Sequence, residues 1–581
     1  MRKFTQSLAL AALLLSTSAY AQNVAPAATV AAKAAKVPWL YEDSDVPVDD
    51  TWTFGVLPNG LRYAVKKNDV PAGQVSIRVR IDAGALHENN DEQGFAHLIE
   101  HLSFRGSTFV PDGEAKRIWQ RFGVTFGSDS NAQTTPTQTV YKLDLPNATP
   151  EKLDESVKII SGMIRNPRIS PSALNAERAI VLAELRENSG AQMVYSDALR
   201  QHAFQGQRLA NRSTIGTPET LQAADALRLS AFHDRWYRPE NAVVVMAGDI
   251  EPTQLANLVQ KYFNDWKGKG APAPEPVFGD PTPQGTPTRV LIEPTLPTIV
   301  SIAYLRPWRK VDDTIAYNEQ LLIDALALQI INRRLEVQAR SGGNYLFAEI
   351  AQEDISRTAD ATLVSVTPVG DKWEAATRDV RAVIADAIAT PPSVADIERE
   401  KTLFGNALRT MLDSYPFEAA AKQADDIVNA VDIRETVAAP KTVVQVYEGM
   451  KDKFTPQRLL ASTQKLFMAD ATRLMLSSPA PIADADNRAL AALNAVVSAN
   501  TTARLSENTL GFAALPKLGA PGKLVSEETN SQLQMTRLEL SNGVRALLNP
   551  NKAESGQIRV LVRFGRGYQA VTPDNGSLLW A

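Results

Sequence analysis

Cysteine is absent from all 581 residues, which excludes a disulfide framework and a lipid-anchored cysteine. Histidine is scarce, with five in the chain, and positive charge does not predominate: the formal net charge is −4 and the pI about 5.9. Nothing is basic enough to serve as a nucleic-acid footprint. Long apolar runs are missing after the first twenty-one residues, so no later segment reaches membrane-spanning length. The start of the chain differs. Arg2 and Lys3 precede a short apolar core from Leu8 to Leu15, and Ala19-Tyr20-Ala21 forms a small-x-small cleavage site before Gln22. A membrane anchor is the alternative, but the run is about half the length of a spanning helix. Residues 1–21 are therefore predicted to be a signal peptide, and the mature chain to be exported, most simply to a bacterial periplasm, with no membrane insertion after cleavage. An exported chain without cysteine is held by its cores, or by a metal.

What is present is ordinary globular composition, 44% hydrophobic and 22% charged. The length is too great for one core, and roughly three or four domains are expected. After an Ala-rich arm at 22–50, Phe54 and Val56, then Leu61, Tyr63 and Val65, flank Pro58-Asn59-Gly60, a hairpin-like turn. Val75, Ile77, Val79 and Ile81 alternate as in strands with one buried face. Helical patterns follow from about Asp91, from Glu151 to Ile164 and from Ser172 to Asn188. The stretch 270–288 is rich in Pro and Gly without periodicity and reads as a linker. It separates a first domain at 51–269 from a second at 289–479, which contains a strand from Ile299 to Tyr304 and a long helix from Ile315 to Ala339. A further connector spans 480–530. The fold class expected is α+β, with repeated two-layer domains of mixed or antiparallel sheet and helices on one face.

Residues 531–581 resemble the start of the first domain. An offset of 483 aligns them without a gap, bringing Asn59 and Gly60 onto Asn542 and Gly543, Arg62 onto Arg545, Gly73 and Gln74 onto Gly556 and Gln557, Arg80 onto Arg563, Gly84 onto Gly567 and Asp91 onto Asp574. The segment reads as a repeated domain that stops where its metal motif would begin. A fragment of a longer molecule, or a chain that has lost its second half, is expected.

The chemistry lies in His97-Leu98-Ile99-Glu100-His101. A helix places two histidines four apart on one face, with Glu100 on its flank. Phe95, Leu98, Ile99 and Leu102 cover the other faces, and Asn90 with Gln93 forms a candidate capping box. Two imidazoles can hold a zinc ion that acidifies water and polarises a carbonyl, with the glutamate as base. The order H-x-x-E-H is the inverzincin signature. His202 and His233 lack a carboxylate at metal spacing and read as structural. A third ligand is sought in 175–187, where Glu177 and Glu184 stand seven apart, roughly 10 Å along one helix face. One would touch the metal and the other orient a histidine N–H, and the pattern leaves open which. Manganese or cobalt could also occupy such a site in vitro.

The stretch GFAHLIEHLSFRGS resembles the active-site helix of the pitrilysin and insulin-degrading-enzyme family, which includes mitochondrial processing peptidase. Residues 176–185 (AERAIVLAEL) resemble its third-ligand helix, and WYRPEN at 236–241, IGTPE at 215–219 and Asn131-Ala132 match further stretches. The resemblance implies one Zn2+ per catalytic domain held by His97, His101 and Glu184, with Glu100 as general base and Glu177 as supporting acid. It implies that Asn131 and Ala132 lie on an edge strand to which extended peptide adds by backbone pairing. It also implies that the second domain is a catalytically silent partner in a clam-shell architecture. A peptide or unfolded protein is the expected substrate, and a second half or homologous subunit would complete the chamber. The alternative is a non-catalytic peptide-binding or scaffold subunit.

Overall fold

A computed structural model describes residues 38–187, 190–501, 504, 519–550 and 558–565. The expected signal peptide at 1–21, the arm up to residue 37 and the repeat positions Gly556, Gln557, Gly567 and Asp574 lie outside the described residues. The chain divides into two compact units between Thr509 and Leu510.

The first unit holds two sheets. The first comprises β1 (Thr53–Val56), β2 (Arg62–Lys67), β3 (Val75–Ile81), β4 (Ser130–Thr134), β5 (Thr139–Leu145) and β6 (Ala242–Gly248), in the order β1-β2-β6-β3-β5-β4. Only β2 and β6 pair in parallel. The second comprises β7 (Thr288–Ile292), β8 (Ile299–Pro307), β9 (Tyr345–Ile355), β10 (Ala359–Pro368) and β11 (Ala471–Ser478), in the order β7-β11-β8-β10-β9. The helices used below are α1 (Phe95–Ser103), α2 (Pro150–Arg165), α3 (Pro171–Glu187), α4 (Ala191–Ala203), α5 (Ile315–Arg340), α6 (Trp373–Ala389), α7 (Ala420–Asp432) and α8 (Ala485–Asn494).

The alternation in β3 places Val75, Ile77, Val79 and Ile81 in one core with residues of α1, α2 and α3. The opposite face is not solvated, as alternation alone suggested: all seven residues of β3 are buried. Helix α7, more than three hundred residues later in the chain, covers that face. Ala420, Ala424, Ile427, Val428 and Val431 pack on Val243, Val245 and Ala247 of β6. The arginines of β3 are satisfied there by carboxylates. Arg78 pairs with Asp144 at 2.8 Å and Asp425 at 2.9 Å, and Arg80 with Asp82 at 2.9 Å and Asp432 at 2.8 Å. A buried arginine is tolerable only when paired in this way. The β6 run AVVVMAG, apolar throughout, is what a strand covered on both faces requires.

The exchange is reciprocal. Helix α4, from the first half of the sequence, lies on the second sheet, where Tyr195 hydrogen-bonds Ser301 at 2.6 Å and packs on Met475. The other face of that sheet packs against α5 and α6. Two expected connecting segments are partly built into this fold. The end of the arm is packed, with Trp39 and Asp49 buried and Val48 bridged to Ala438. The 480–530 connector contains α8, whose Ala489 is buried in the second core.

The second unit is an antiparallel meander of β12 (Leu524–Asn530), β13 (Met535–Leu540) and β14 (Arg545–Leu548). Its turn repeats that of β1 and β2 bond for bond. Asn59 Oδ1 accepts from the Leu61 N–H at 3.1 Å and Asn542 Oδ1 from the Val544 N–H at 3.2 Å. Gly60 and Gly543 both take positive φ, +94° and +81°, and Val56 faces Arg62 as Glu539 faces Arg545. The two Asn-Gly turns are thus alike in conformation as well as sequence.

Because α7 closes the first sheet, a fragment of residues 38–269 alone exposes Ala64, Val140, Val243, Val245 and Ala247 and strands Arg78 and Arg80 without Asp425 and Asp432. It is expected to aggregate or lack fixed tertiary structure, read by near-UV circular dichroism and solubility. Cooperative unfolding of that fragment would show that α7 is dispensable.

Candidate metal centre

Helix α1 begins at Phe95, later than the sequence pattern suggested, and the Asn90–Gln93 box does not cap it. Gln93 Nε2 instead donates to the Asn90 carbonyl at 3.1 Å, and Asn90 Oδ1 accepts from Arg212 at 2.6 Å. The helix head is served by Glu88, whose Oε2 accepts from the Gly94 N–H at 3.0 Å and Oε1 from the Ala96 N–H at 2.9 Å. A fully buried carboxylate there satisfies two orphan donors and faces the positive end of the helix. Gly94 (φ +91°) and Gly216 (φ +83°) let two backbones touch: a Cβ on Gly216 would sit 2.5 Å from the Gln93 carbonyl and 2.7 Å from Gly94 Cα. This docks the segment 215–217 against the helix start.

Phe95, Leu98, Ile99 and Leu102 are buried in the first core, leaving His97, Glu100 and His101 on the remaining side. The imidazole rings of His97 and His101 are 4.8 Å apart and nearly perpendicular, at 82°. Helix α3 brings Glu184 to them: its Oε2 lies 3.8 Å from His97 Nε2 and 3.6 Å from His101 Nε2. The three residues each offer a ligand atom within 4.8 Å of the others, and they form the one such group among the described residues.

Glu177, two turns earlier on α3, lies elsewhere in the arrangement. Its Oε2 is 3.0 Å from His101 Nδ1, and its Oε1 accepts from Arg105 Nε. A proton held at Nδ1 by that carboxylate leaves the Nε2 lone pair of His101 facing Glu184. Burial disfavours protonated His101, but the Glu177 hydrogen bond and the carboxylates of Glu100, Glu177 and Glu184 outweigh it and raise the pKa. Burial and then His101 push His97 down to about 4, so its ring is neutral and a lone-pair donor. Its Nδ1 is buried and has no hydrogen-bond partner among the described residues. Two imidazole nitrogens and one carboxylate oxygen, with no cationic side chain among them, suit a borderline divalent metal such as zinc.

Glu100 sits beside this group, only 8% exposed. Burial raises its carboxyl to about 7, while a hydrogen bond from Thr134 Oγ1 to Oε2, at 2.5 Å, and neighbouring His101 oppose the shift. Thr134 ends β4, the edge strand of the first sheet, which pairs with β5 and whose first residue, Ser130, also bridges Phe126. Asn131 and Ala132 lie on β4, not in the metal group. Asn131 is exposed and its side chain bonds locally, accepting from the Ala132 N–H at 2.9 Å and donating to the Gly127 carbonyl at 3.4 Å. His202 and His233 are remote, bonded to the carbonyls of Leu474 and Ile164. Sequence reasoning missed Arg105, Thr134 and Glu88. Arg105 lies in the turn just after α1 and Glu88 six residues before Gly94, both close in sequence to the motif, whereas Thr134 reaches Glu100 from a strand 34 residues later.

Glu177→Ala is expected to weaken zinc binding by about 10- to 100-fold with the fold intact, measured by competition with a chromophoric chelator and far-UV circular dichroism. Glu184→Ala is expected to cost more, because it removes a ligand atom. Equal losses would contradict the assignment of the two acids.

Two family profiles match the chain: "Insulinase (Peptidase family M16)" over residues 63–217 and "Peptidase M16 inactive domain" over residues 223–404. A probable zinc protease PqqL of Haemophilus influenzae is 32% identical over 222 residues, which are 38% of this chain and 24% of that protein. A probable zinc protease PqqL of Escherichia coli is 23% identical over 545 residues, 92% of this chain and 58% of that protein. The crystal structure of the periplasmic protease PqqL from Escherichia coli superposes with a TM-score of 0.73 at 21% identity, covering 88% of this chain and 57% of that one. Its first half, solved separately, gives 0.71 at 21% identity, covering 78% of this chain and 99% of that one. The chain thus spans between about a quarter and three-fifths of these curated relatives. These matches, with the paired sheets and the H-x-x-E-H helix, show a chain built of peptidase family M16 (insulinase) domains, an insulinase domain followed by the family's inactive domain.

Proposed function

We propose that this chain is a zinc metallopeptidase of the periplasm that hydrolyses peptide bonds in extended or unfolded chains. The observation that carries the reading is the meeting of His97 Nε2, His101 Nε2 and Glu184 Oε2 beside the buried carboxylate of Glu100. Relatives described as zinc proteases, one of them periplasmic, support the same reading.

His97, His101 and Glu184 would hold the zinc ion, which when bound supplies Lewis-acid polarisation of the scissile carbonyl and lowers the pKa of water. Glu100 takes the proton from the attacking water and returns it to the leaving amine. Thr134 holds one of its oxygens and leaves the other to face the substrate side. Glu177, anchored by Arg105, keeps the Nδ1 proton on His101 through the cycle. The open edge of β4, with Asn131 and Ala132, pairs with the substrate backbone, which selects extended chain over folded protein. A second half or homologous subunit completes the chamber, a reading supported by the second unit's copy of the first sheet's Asn-Gly turn.

The test is cleavage of an internally quenched, unstructured peptide by the chain from Gln22 onward, with zinc measured in parallel. Cleavage is expected to vanish on chelation and return with zinc. Glu100→Gln is expected to lower the rate by about 100- to 10,000-fold while zinc stays near one per chain. Stoichiometric zinc without cleavage would favour a peptide-binding subunit, and absence of both would overturn the proposal.

A further inference from the structure

The hairpin joining β9 to β10 in the second sheet turns through Ser356 and Arg357, both left-handed, with φ of +49° and +53°. Such a turn normally uses Asn and Gly, because other side chains resist that conformation. The conformation here is held by what Arg357 touches. Its side chain is 1% exposed and enters the end of the first sheet. Nη2 donates to Asp82 Oδ1 at 2.7 Å, to the Thr137 carbonyl at 3.3 Å and to Asp432 Oδ1 at 3.5 Å, and Nη1 donates to Glu275 of the linker.

Thr137 belongs to the turn between β4 and β5. The same turn is gripped from other sides: Thr137 Oγ1 donates to Asp432 Oδ2 at 3.0 Å, Gln138 Oε1 accepts from Arg80 Nε, and the Thr135 carbonyl accepts from the Ala85 N–H at 3.1 Å. Gly84 admits this approach, since a Cβ there would lie 2.1 Å from the Thr135 carbonyl oxygen. Among the described strands β4 pairs only with β5, and its start is tied through Ser130 to Thr125 and Gly127, so the position of its other end depends on this turn. That end is Thr134, the donor to Glu100.

We infer that Arg357 is a positioning residue for Glu100, acting from the inactive domain by clamping the β4–β5 turn so that Thr134 holds the Glu100 carboxylate. The inference rests on the peptidase reading only in assigning Glu100 the proton-transfer role; the mechanical link stands apart from it. It gives the inactive domain a part in building the neighbouring site beyond enclosing a chamber.

The zinc-loaded chain is compared with Arg357→Ala, Arg357→Lys, Thr134→Val and the double variant Arg357→Ala/Thr134→Val. Arg306→Ala, which breaks the Arg306–Asp360 pair within the second sheet, is the control. Amide hydrogen exchange by mass spectrometry is read over residues 130–138 and 62–67, with zinc content and the kcat and KM of peptide cleavage. Arg357→Ala is expected to speed exchange at 130–138 but not at 62–67, to retain zinc, and to lower kcat by about 10- to 100-fold with a smaller change in KM. Arg357→Lys is expected to recover part of the loss, and Arg306→Ala to cause none. On the Thr134→Val background, Arg357→Ala is expected to add little, as coupled residues are non-additive.

Multiplicative effects of the two substitutions, or unchanged exchange at 130–138, would overturn the inference. If the unsubstituted chain does not cleave, the peptidase reading falls, and exchange at 130–138 alone decides for or against the clamp. Should Arg357→Ala not fold, Arg357→Gln, which keeps a polar side chain in the cluster but loses the guanidinium fork, carries the same exchange and kinetic test.

Discussion

The first sheet is completed by a helix that the chain reaches only at Ala420. Until α7 arrives, β6 has an uncovered row of valines and β3 carries two arginines facing an apolar surface. Its arrival supplies aliphatic cover and the aspartates that make the arginines tolerable. Coulomb attraction between such charges is strong only where water is excluded, and exclusion depends on the surrounding apolar contacts. Cover and charge pairing must therefore form together. Helix α4 makes the reverse crossing, so each sheet depends on sequence from the other half. Helix α1, with His97 and His101, rests on the first sheet and inherits that dependence.

The site shows how one helix pair gives two glutamates opposite characters. Glu177 is pulled below the ordinary carboxylate range despite its burial, because His101 and Arg105 bond both its oxygens. Glu100, with one hydroxyl donor, is pushed up to about 7. The first is held charged against a histidine; the second is held closer to the point where it gains a proton. Pairs of acids separated in this way by their surroundings are the usual basis for dividing structural from chemical work in a site.

Much of this was readable from local pattern. The Asn-Gly turns, the strand alternation, the long helix α5 and the histidines four apart all depend on neighbours within one or two turns. The two acids of α3 were found, but spacing alone left their roles open; the resemblance assigned them, and in the fold Glu184 meets both histidines and Glu177 only one. Long-range effects were not readable. Alternation in β3 suggested a solvated face because the acids that bury Arg78 and Arg80 include two from α7. Asn90 and Gln93 looked like a cap, but a buried acid outside the helix, Glu88, took the role. Trp39 and Ala489 lie in stretches whose Ala-rich composition resembles linker, yet each supplies a side chain to a core.

Strand β4 has a further consequence. An edge with unsatisfied backbone groups recruits any extended chain, including a partly unfolded copy of the same molecule, and long apolar edges drive aggregation. This one has five residues, Ser-Asn-Ala-Gln-Thr, with no large apolar side chain. Annealing between copies would gain a few main-chain bonds and almost no apolar burial, so such an association should be brief. That composition makes the strand a poor seed for aggregates.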